Sequence, residues 1–401
     1  MNHDRRPISF LVLIGAIACA SWLTGCGGDT SSTMTSSPEL KQLATSQWNN
    51  FSTTLPGGLS IAVITPKGAY FASTLDAATA DSHFRAASTT KTFTAAAIML
   101  LQQRGQLNID DVLSAHMPGT TRPYVPATPD YAIPYKDQIT IRQLLRHRAG
   151  VFDVGNRDIP ATAHAPYAGM RYGDWIEDTL GPAHTFTLDE LVGVVARNQL
   201  VGGLPGEAFR YSNTGYSLLA RIVEQVSGKT YAQFVHDELL VPNGLHDTGF
   251  PDDGRTQDLP APFLEGTTRV GGAILATTSR NVSWGVGEGN VVTTPSDLAR
   301  WFRRLIKGEA GLNAQTVARM RECEMTNEVH VSYGLGLACD PPELGLGHNG
   351  GITGYLTTAR HDPATDVTVV VFATLLDADD LFTEAMMLYD AARQARTVLG
   401  Y

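Results

Sequence analysis

The sequence predicts an α+β fold in which strands from the two ends of the chain share one sheet, with helices flanking it and a helical insertion between. Three observations carry this. A β-hairpin pattern stands near the start, a buried helix and two capped helices occupy the middle, and strand patterns return toward the C-terminus.

Each element has its own signal. Residues 59–65, Leu-Ser-Ile-Ala-Val-Ile-Thr, precede Pro66-Lys67-Gly68 and the second arm at 69–74, which reads as a hairpin. Residues 92–103 are apolar on nearly every face, as a buried helix is. Stretches 118–134 and 153–184 are rich in Pro, Gly and aromatics without periodicity, so they read as long surface loops around a cleft. Tyr124, Tyr131, Tyr135, Tyr167, Tyr172 and Trp175 are candidates for its rim. A second helix follows Asn213, with Leu218, Leu219, Ile222, Val223 and Val226 at helical spacing and Gly228 as its stop. A third opens at Thr294-Pro295-Ser296-Asp297, a cap followed by Pro in the first turn. Strands are expected at 331–338, 356–360 and 367–373, and a closing helix at 385–398. There is no internal repeat.

With 43% hydrophobic and 17% charged residues the 401-residue chain can bury a large core, which excludes disordered and fibrous classes. Lys plus Arg is 30 against 40 Asp plus Glu. Removing residues 1–25, with one Asp and two Arg, leaves 28 against 39, a net charge of −11. That sign argues against nucleic acid as a partner.

The N-terminus reads as an address. Arg5 and Arg6 precede an uncharged run at 8–23, too short to span a bilayer comfortably but suited to a signal peptide over 1–25. It ends in Leu23-Thr24-Gly25-Cys26, which resembles a bacterial lipobox and makes Cys26 the candidate lipidation site. An ordinary signal peptide with an incidental Cys is the simpler alternative. Residues 26–37, rich in Ser and Thr, are expected to be a flexible tether, leaving 38–401 as the folded body near a membrane. That body retains two cysteines, Cys323 and Cys339. Export permits a disulfide between them, and two separate thiols is the alternative. No His-Glu-x-x-His or zinc-type cysteine spacing occurs, so neither a metal nor another cofactor is expected.

The chemistry starts at Ser88-Thr89-Thr90-Lys91, where a spacing of three on a helix start brings hydroxyl and amine together. Serine needs a base, and a lysine beside apolar residues at a helix N-terminus has its charged form disfavoured. The unpaired N–H groups there can bind an oxyanion. Alone, Ser-x-x-Lys is a weak pattern. A second cluster, Tyr211-Ser212-Asn213, places Tyr211 and Asn213 on one side if extended, and a third, Gly347-His348-Asn349-Gly350-Gly351, stands before a strand.

In this order the three clusters resemble the serine β-lactamase and DD-peptidase superfamily, in the branch holding class C β-lactamases, D-Ala-D-Ala carboxypeptidases and related esterases. The supporting stretches 105–111, 139–150 and 289–295 look similar too. The resemblance implies an antiparallel sheet with flanking helices joined to a mostly helical lobe at roughly 100–265, with the site in the groove between. It implies Ser88 as nucleophile, Lys91 and Tyr211 as the proton-transfer pair, and Asn213, His348, Gly350 and Gly351 as substrate contacts. The oxyanion would lie between the N–H groups of Ser88 and Gly351. The implied partner is a small-molecule or peptidoglycan-derived substrate, hydrolysed through an acyl-enzyme at the cell envelope.

Other readings are weaker. His147 is expected to satisfy carbonyls at a helix end. Gly285-Val286-Gly287-Glu288-Gly289 lacks the context of a dinucleotide fingerprint, and no Gly-x-Ser-x-Gly elbow is present. His348 stands where class C β-lactamases carry Lys. Ala338 stands where carboxypeptidases of the branch carry an Arg for the terminal carboxylate, which disfavours that activity. A penicillin-recognising or peptidoglycan-binding lipoprotein with little turnover is the alternative function.

Overall fold

Strands from the two ends of the chain meet in one six-stranded sheet. The computed structural model describes residues 33–328 and 331–401, so the signal segment and Cys26 lie outside the described residues. In chain order the strands are β1 (Thr35–Ser36), β2 (Leu59–Thr65), β3 (Gly68–Ser73), β4 (Phe84–Ala87), β5 (Thr267–Val270), β6 (Ala273–Ala276), β7 (Val291–Thr293), β8 (Glu324–Met325), β9 (Ser332–Tyr333), β10 (Leu346–Ile352), β11 (Tyr355–Asp362), β12 (Val367–Ala373) and β13 (Leu375–Asp377). The helices are α1 (Pro38–Phe51), α2 (Thr90–Gln103), α3 (Ile141–Leu145), α4 (Tyr172–Leu180), α5 (Leu188–Arg197), α6 (Asn213–Ser227), α7 (Tyr231–Val235), α8 (Val241–Asn243), α9 (Pro295–Lys307), α10 (Ala314–Met320) and α11 (Leu381–Val398).

The main sheet runs β1-β3-β2-β12-β11-β10. The two halves join where β12 pairs antiparallel with β2, Val370 opposite Ala62. Alternation along β2 sorts the cores: Leu59, Ile61 and Val63 face α1 and α11, while Ala62 faces the larger core beside Phe372. Burying such aliphatic side chains stabilises by roughly 1.5 to 3 kcal/mol each. Helix α2 is enclosed along its apolar length, and α6 packs across it. The insertion from α2 to α8 is built of helices joined by long loops, with no strand among its described residues, and β4 pairs with β7 to lead the chain into α2.

Several expectations need correction. The tether was expected to extend to Ser37, but Thr35 and Ser36 add a parallel edge strand to β3, and Ser37 caps α1. Helix α1 itself was missed. The predicted strand at 331–338 is a strand only at Ser332–Tyr333. Gly336 turns the chain there with φ 74°, and a Cβ on it would stand 2.3 Å from that of Ala95, so the segment folds back against α2. The presumed surface loops carry core of their own: Tyr124 and Tyr131 are fully buried, donating to Asp111 (2.9 Å) and Asp189 (2.6 Å), and α4 forms within the second stretch. Cys323 and Cys339 are bonded, with Cα atoms 6.4 Å apart. Closing that loop limits the unfolded chain, worth about 3 kcal/mol in the chain-entropy account.

Candidate active site

Ser88 follows β4 at a place the backbone must be forced to adopt. A bulge separates Arg85 from Ala87 in the pairing with β7, and Ala87 has φ 49°, a left-handed conformation unusual for a residue with a Cβ. The turn leaves Ser88 partly exposed just before α2. Lys91, in the first turn of that helix, is fully buried. Its Nζ donates to Ser88 Oγ at 3.3 Å, to Asn213 Oδ1 at 2.7 Å and to the Glu288 carbonyl at 2.7 Å. Three acceptors use all the donors of an ammonium and aim it at the serine.

Tyr211 faces the same amine, with Lys91 Nζ 4.8 Å from its ring centre. Ser212 adopts an extended conformation and caps α6, so Tyr211 and Asn213 do project to one side, as the pattern predicts. Burial lowers the Lys91 pKa to about 8, with Glu288 and Asp153 opposing that shift. Burial pushes the Tyr211 phenol well above its usual range, with neighbouring Tyr333 adding to the shift and Ser88 opposing it. In the resting site Lys91 is therefore the group that gives up its proton more readily.

His348 lies on β10 itself, as the family resemblance implies, although local sequence alone puts its motif just before a strand. Its Nδ1 faces the Asn349 carbonyl at 2.5 Å and so carries the proton, leaving Nε2 to accept from the Tyr333 hydroxyl at 2.8 Å. Burial first, then the charge of Lys91, lowers its pKa to about 3. The structure therefore holds it neutral near neutral pH. Gly350 was expected to touch substrate. It is buried, and a Cβ there would lie 2.2 Å from the Ala86 carbonyl, so its role is to let β10 cross against β4 beside Ser88. Gly351, next along, is exposed toward the groove.

His147 does more than end α3. With φ 54° it turns the chain, its carbonyl accepts from the Arg210 N–H, and its ring Nδ1 accepts from the Ser212 N–H at 3.1 Å. The ring stacks on Tyr211, centroids 4.1 Å apart, and burial holds it neutral. It is a positioning residue for the segment 211–213 rather than a donor to helix carbonyls.

Sequence reasoning missed two buried acids beside Lys91. Asp153 accepts from the N–H groups of Gly155 and Asn156, and burial raises its pKa. Glu288, inside the glycine-rich run set aside as a phosphate loop, is buried, accepts from Ser217 Oγ at 3.1 Å, and has its pKa raised by burial to about 8. The glycines flank it for a reason: Gly287, at φ 77°, has no room for a Cβ against Ala220.

A cavity of about 590 Å³ opens beside these groups. Gly351, Thr214 and Glu288 line it on the side of the Ser88, Lys91 and Tyr211 cluster, while Tyr172, Phe186 and Trp284 contribute aromatic wall. Of the rim candidates, only Tyr172 lines it.

Known proteins are similar to this chain in sequence or in fold. Penicillin-binding protein 4* of Bacillus subtilis is 27% identical over 300 residues, covering 69% of this chain and 57% of that protein. Protein flp of Staphylococcus aureus is 28% identical over 225 residues, 55% of this chain and 38% of the relative. The chain thus spans less than two thirds of either relative. A D-stereospecific amidohydrolase from Streptomyces superposes with a TM-score of 0.71 at 22% identity, covering 88% of this chain and 97% of the other. A D-amino acid amidase from Ochrobactrum anthropi does so at 0.69 and 21%, covering 90% and 97%. At such identities the likeness is one of fold. The Beta-lactamase family model matches residues 53–392, which takes in every element of the site from Ser88 to Gly351. Matched over most of its length, the chain belongs to the β-lactamase family.

Proposed function

We propose that the protein is an exported, lipid-tethered serine hydrolase that acts through an acyl-enzyme on small peptides, amides or esters. The observation that carries this is Lys91 Nζ at 3.3 Å from Ser88 Oγ, held by Asn213 and the Glu288 carbonyl. Neutral Lys91 accepts the serine proton as Oγ attacks the substrate carbonyl. The tetrahedral oxyanion is held by N–H groups of Ser88 and Gly351, and the proton passes through Tyr211 to the leaving group. Water then attacks the ester, the proton returns by the same groups, and Ser88 is freed. The solved relatives named as amidases support including amides among the substrates.

Substrates without a free terminal carboxylate are expected to be preferred. Ala338 offers no charge, and His348 is neutral. Arg142 is engaged by Asp110, and Arg146 and Arg148 by Glu324, while the two arginines of the cavity wall are each near an acid, Arg171 3.8 Å from Asp158 and Arg280 4.0 Å from Glu177. A charge-assisted hydrogen bond to a carboxylate contributes about 1.5 to 3 kcal/mol where it exists. The test compares kcat/KM for an acyl-D-Ala-D-Ala peptide and its methyl ester. The ester is expected to be better, and a free acid favoured by about tenfold would establish a carboxylate pocket.

The tether is part of the proposal. Among the described residues no helix is long and apolar enough to cross a membrane, so attachment would depend on Cys26. Wild type is expected in the membrane fraction and Cys26→Ser in the soluble fraction after export. A Cys26→Ser protein that still pellets with membranes contradicts the assignment.

A further inference from the structure

Glu288 is a buried acid whose carboxyl the proposed mechanism leaves unused. Only its backbone carbonyl holds Lys91. Glu288 lines the cavity, and Ser217 is the one hydrogen-bond donor to its carboxyl among the described residues. No Lys, Arg or His among them comes within ion-pairing distance of it. Of the other charged groups of the cavity, Arg171, Asp174 and Glu177 are exposed and Arg280 is half-buried, whereas Glu288 is buried.

The local charge is unbalanced. Two carboxyls, Asp153 and Glu288, lie near one ammonium, Lys91, so full ionisation leaves one uncompensated negative charge in a buried site. Between substrates Glu288 avoids this by keeping its proton. A ligand cation would remove the need. The aromatic wall formed by Tyr172, Phe186 and Trp284 asks that the same ligand carry an apolar group.

Resting on the hydrolase reading above, we propose that Glu288 is the specificity-determining residue for a substrate amine. The cavity takes esters or amides in which a primary amine stands a few bonds from the scissile carbonyl and a hydrophobic side chain fills the aromatic wall. Geometry places the residue: Glu288 lines the cavity, and its backbone carbonyl accepts from the same Lys91 Nζ that donates to Ser88 Oγ, so it stands beside the reacting centre. Burial raises the Glu288 carboxyl toward the range of an α-amino group. Carboxyl and amine then share one proton whichever of them carries it.

The test uses the ratio of kcat/KM for phenylalanine methyl ester, in each configuration, to that for methyl 3-phenylpropanoate, which lacks the amine. Taking the ratio within each protein cancels any general effect on Lys91. In Glu288→Gln, which keeps the backbone carbonyl and the size of the side chain, the ratio for the better enantiomer is expected to fall by about tenfold or more relative to wild type. A second measurement needs no variant: 2-phenylethylamine is expected to slow acylation of wild-type Ser88 by p-nitrophenyl acetate at concentrations where 2-phenylethanol does not. An unchanged ratio in Glu288→Gln, or equal inhibition by amine and alcohol, overturns the assignment while leaving the hydrolase reading intact. Failure of every ester to acylate Ser88 removes both.

Discussion

Lys91→Ala is expected to slow acylation of Ser88 by about a hundredfold to ten-thousandfold, the range over which a positioned base acts. Tyr211→Phe is expected to fall in the same range, and the double variant to be little worse than the poorer single one. Both side chains face one proton on its way from Ser88 to the leaving group, and groups that act as a unit do not add. The pH profile separates their roles. With Lys91 titrating at about 8, roughly a tenth of the enzyme holds a neutral amine at pH 7. Acylation should rise with pH through that value and level off above it. In Lys91→Ala the rise should vanish; in Tyr211→Phe, whose phenol titrates far higher, it should persist at a lower rate. Removing the ammonium also leaves Asn213 Oδ1 and the Glu288 carbonyl without their donor, at a cost of about 1 to 3 kcal/mol each, so rates are compared well below the melting transition. Fully additive losses would argue against a shared relay.

Gly350→Ala is expected to destabilise the fold and to abolish most acylation together. The added methyl would lie 2.2 Å from the Ala86 carbonyl, and that neighbour is backbone, which cannot rotate away. Overpacking of this kind costs about 1 to 3 kcal/mol or more. Relieving it moves β10 away from β4 and takes Gly351 out of register with Ser88. A displacement of about 1 Å at a reacting centre can cost a hundredfold in rate. A melting temperature lowered by several degrees with a fall in kcat is the expected pair of results. An unchanged melting temperature with only KM raised would return Gly350 to the role of a substrate contact.

What could be read from the chain was local. The hairpin at β2 and β3, the Thr294 cap, the Gly228 stop and the buried α2 each announce themselves within a few residues. Helix α1 had such signals in Ser37, Pro38 and Glu39, and was overlooked because the Ser-rich tether runs straight into its cap. Strand β10 was not legible: Gly347, Asn349, Gly350 and Gly351 have poor strand propensity, and only the close passage of β4 explains them. The candidate trio Ser88, Lys91 and Tyr211 was visible because its motifs hold their partners at fixed short spacings. The residues that tune it were not. Asp153, Tyr333 and Glu288 reach the site from distant segments, and His147 looked like an ordinary helix end until Ser212 was found donating to its ring. Charge environment is a property of the assembled fold, so the neutrality of His348 and the raised pKa of Glu288 had no signature in one dimension.

The central claim is that Ser88 is the nucleophile of an acyl-enzyme. Intact mass spectrometry after exposure to a fluorescent penicillin and, separately, to an activated ester tests it most directly. The wild type should gain one acyl group, located on the peptide containing Ser88, and should lose it with time as the ester is hydrolysed, returning to its original mass. Ser88→Ala should remain folded and gain nothing, since loss of one hydroxyl removes the nucleophile and little packing. An adduct that forms and never leaves would favour a penicillin-recognising protein with little turnover, and labelling that persists in Ser88→Ala on another residue would contradict the account.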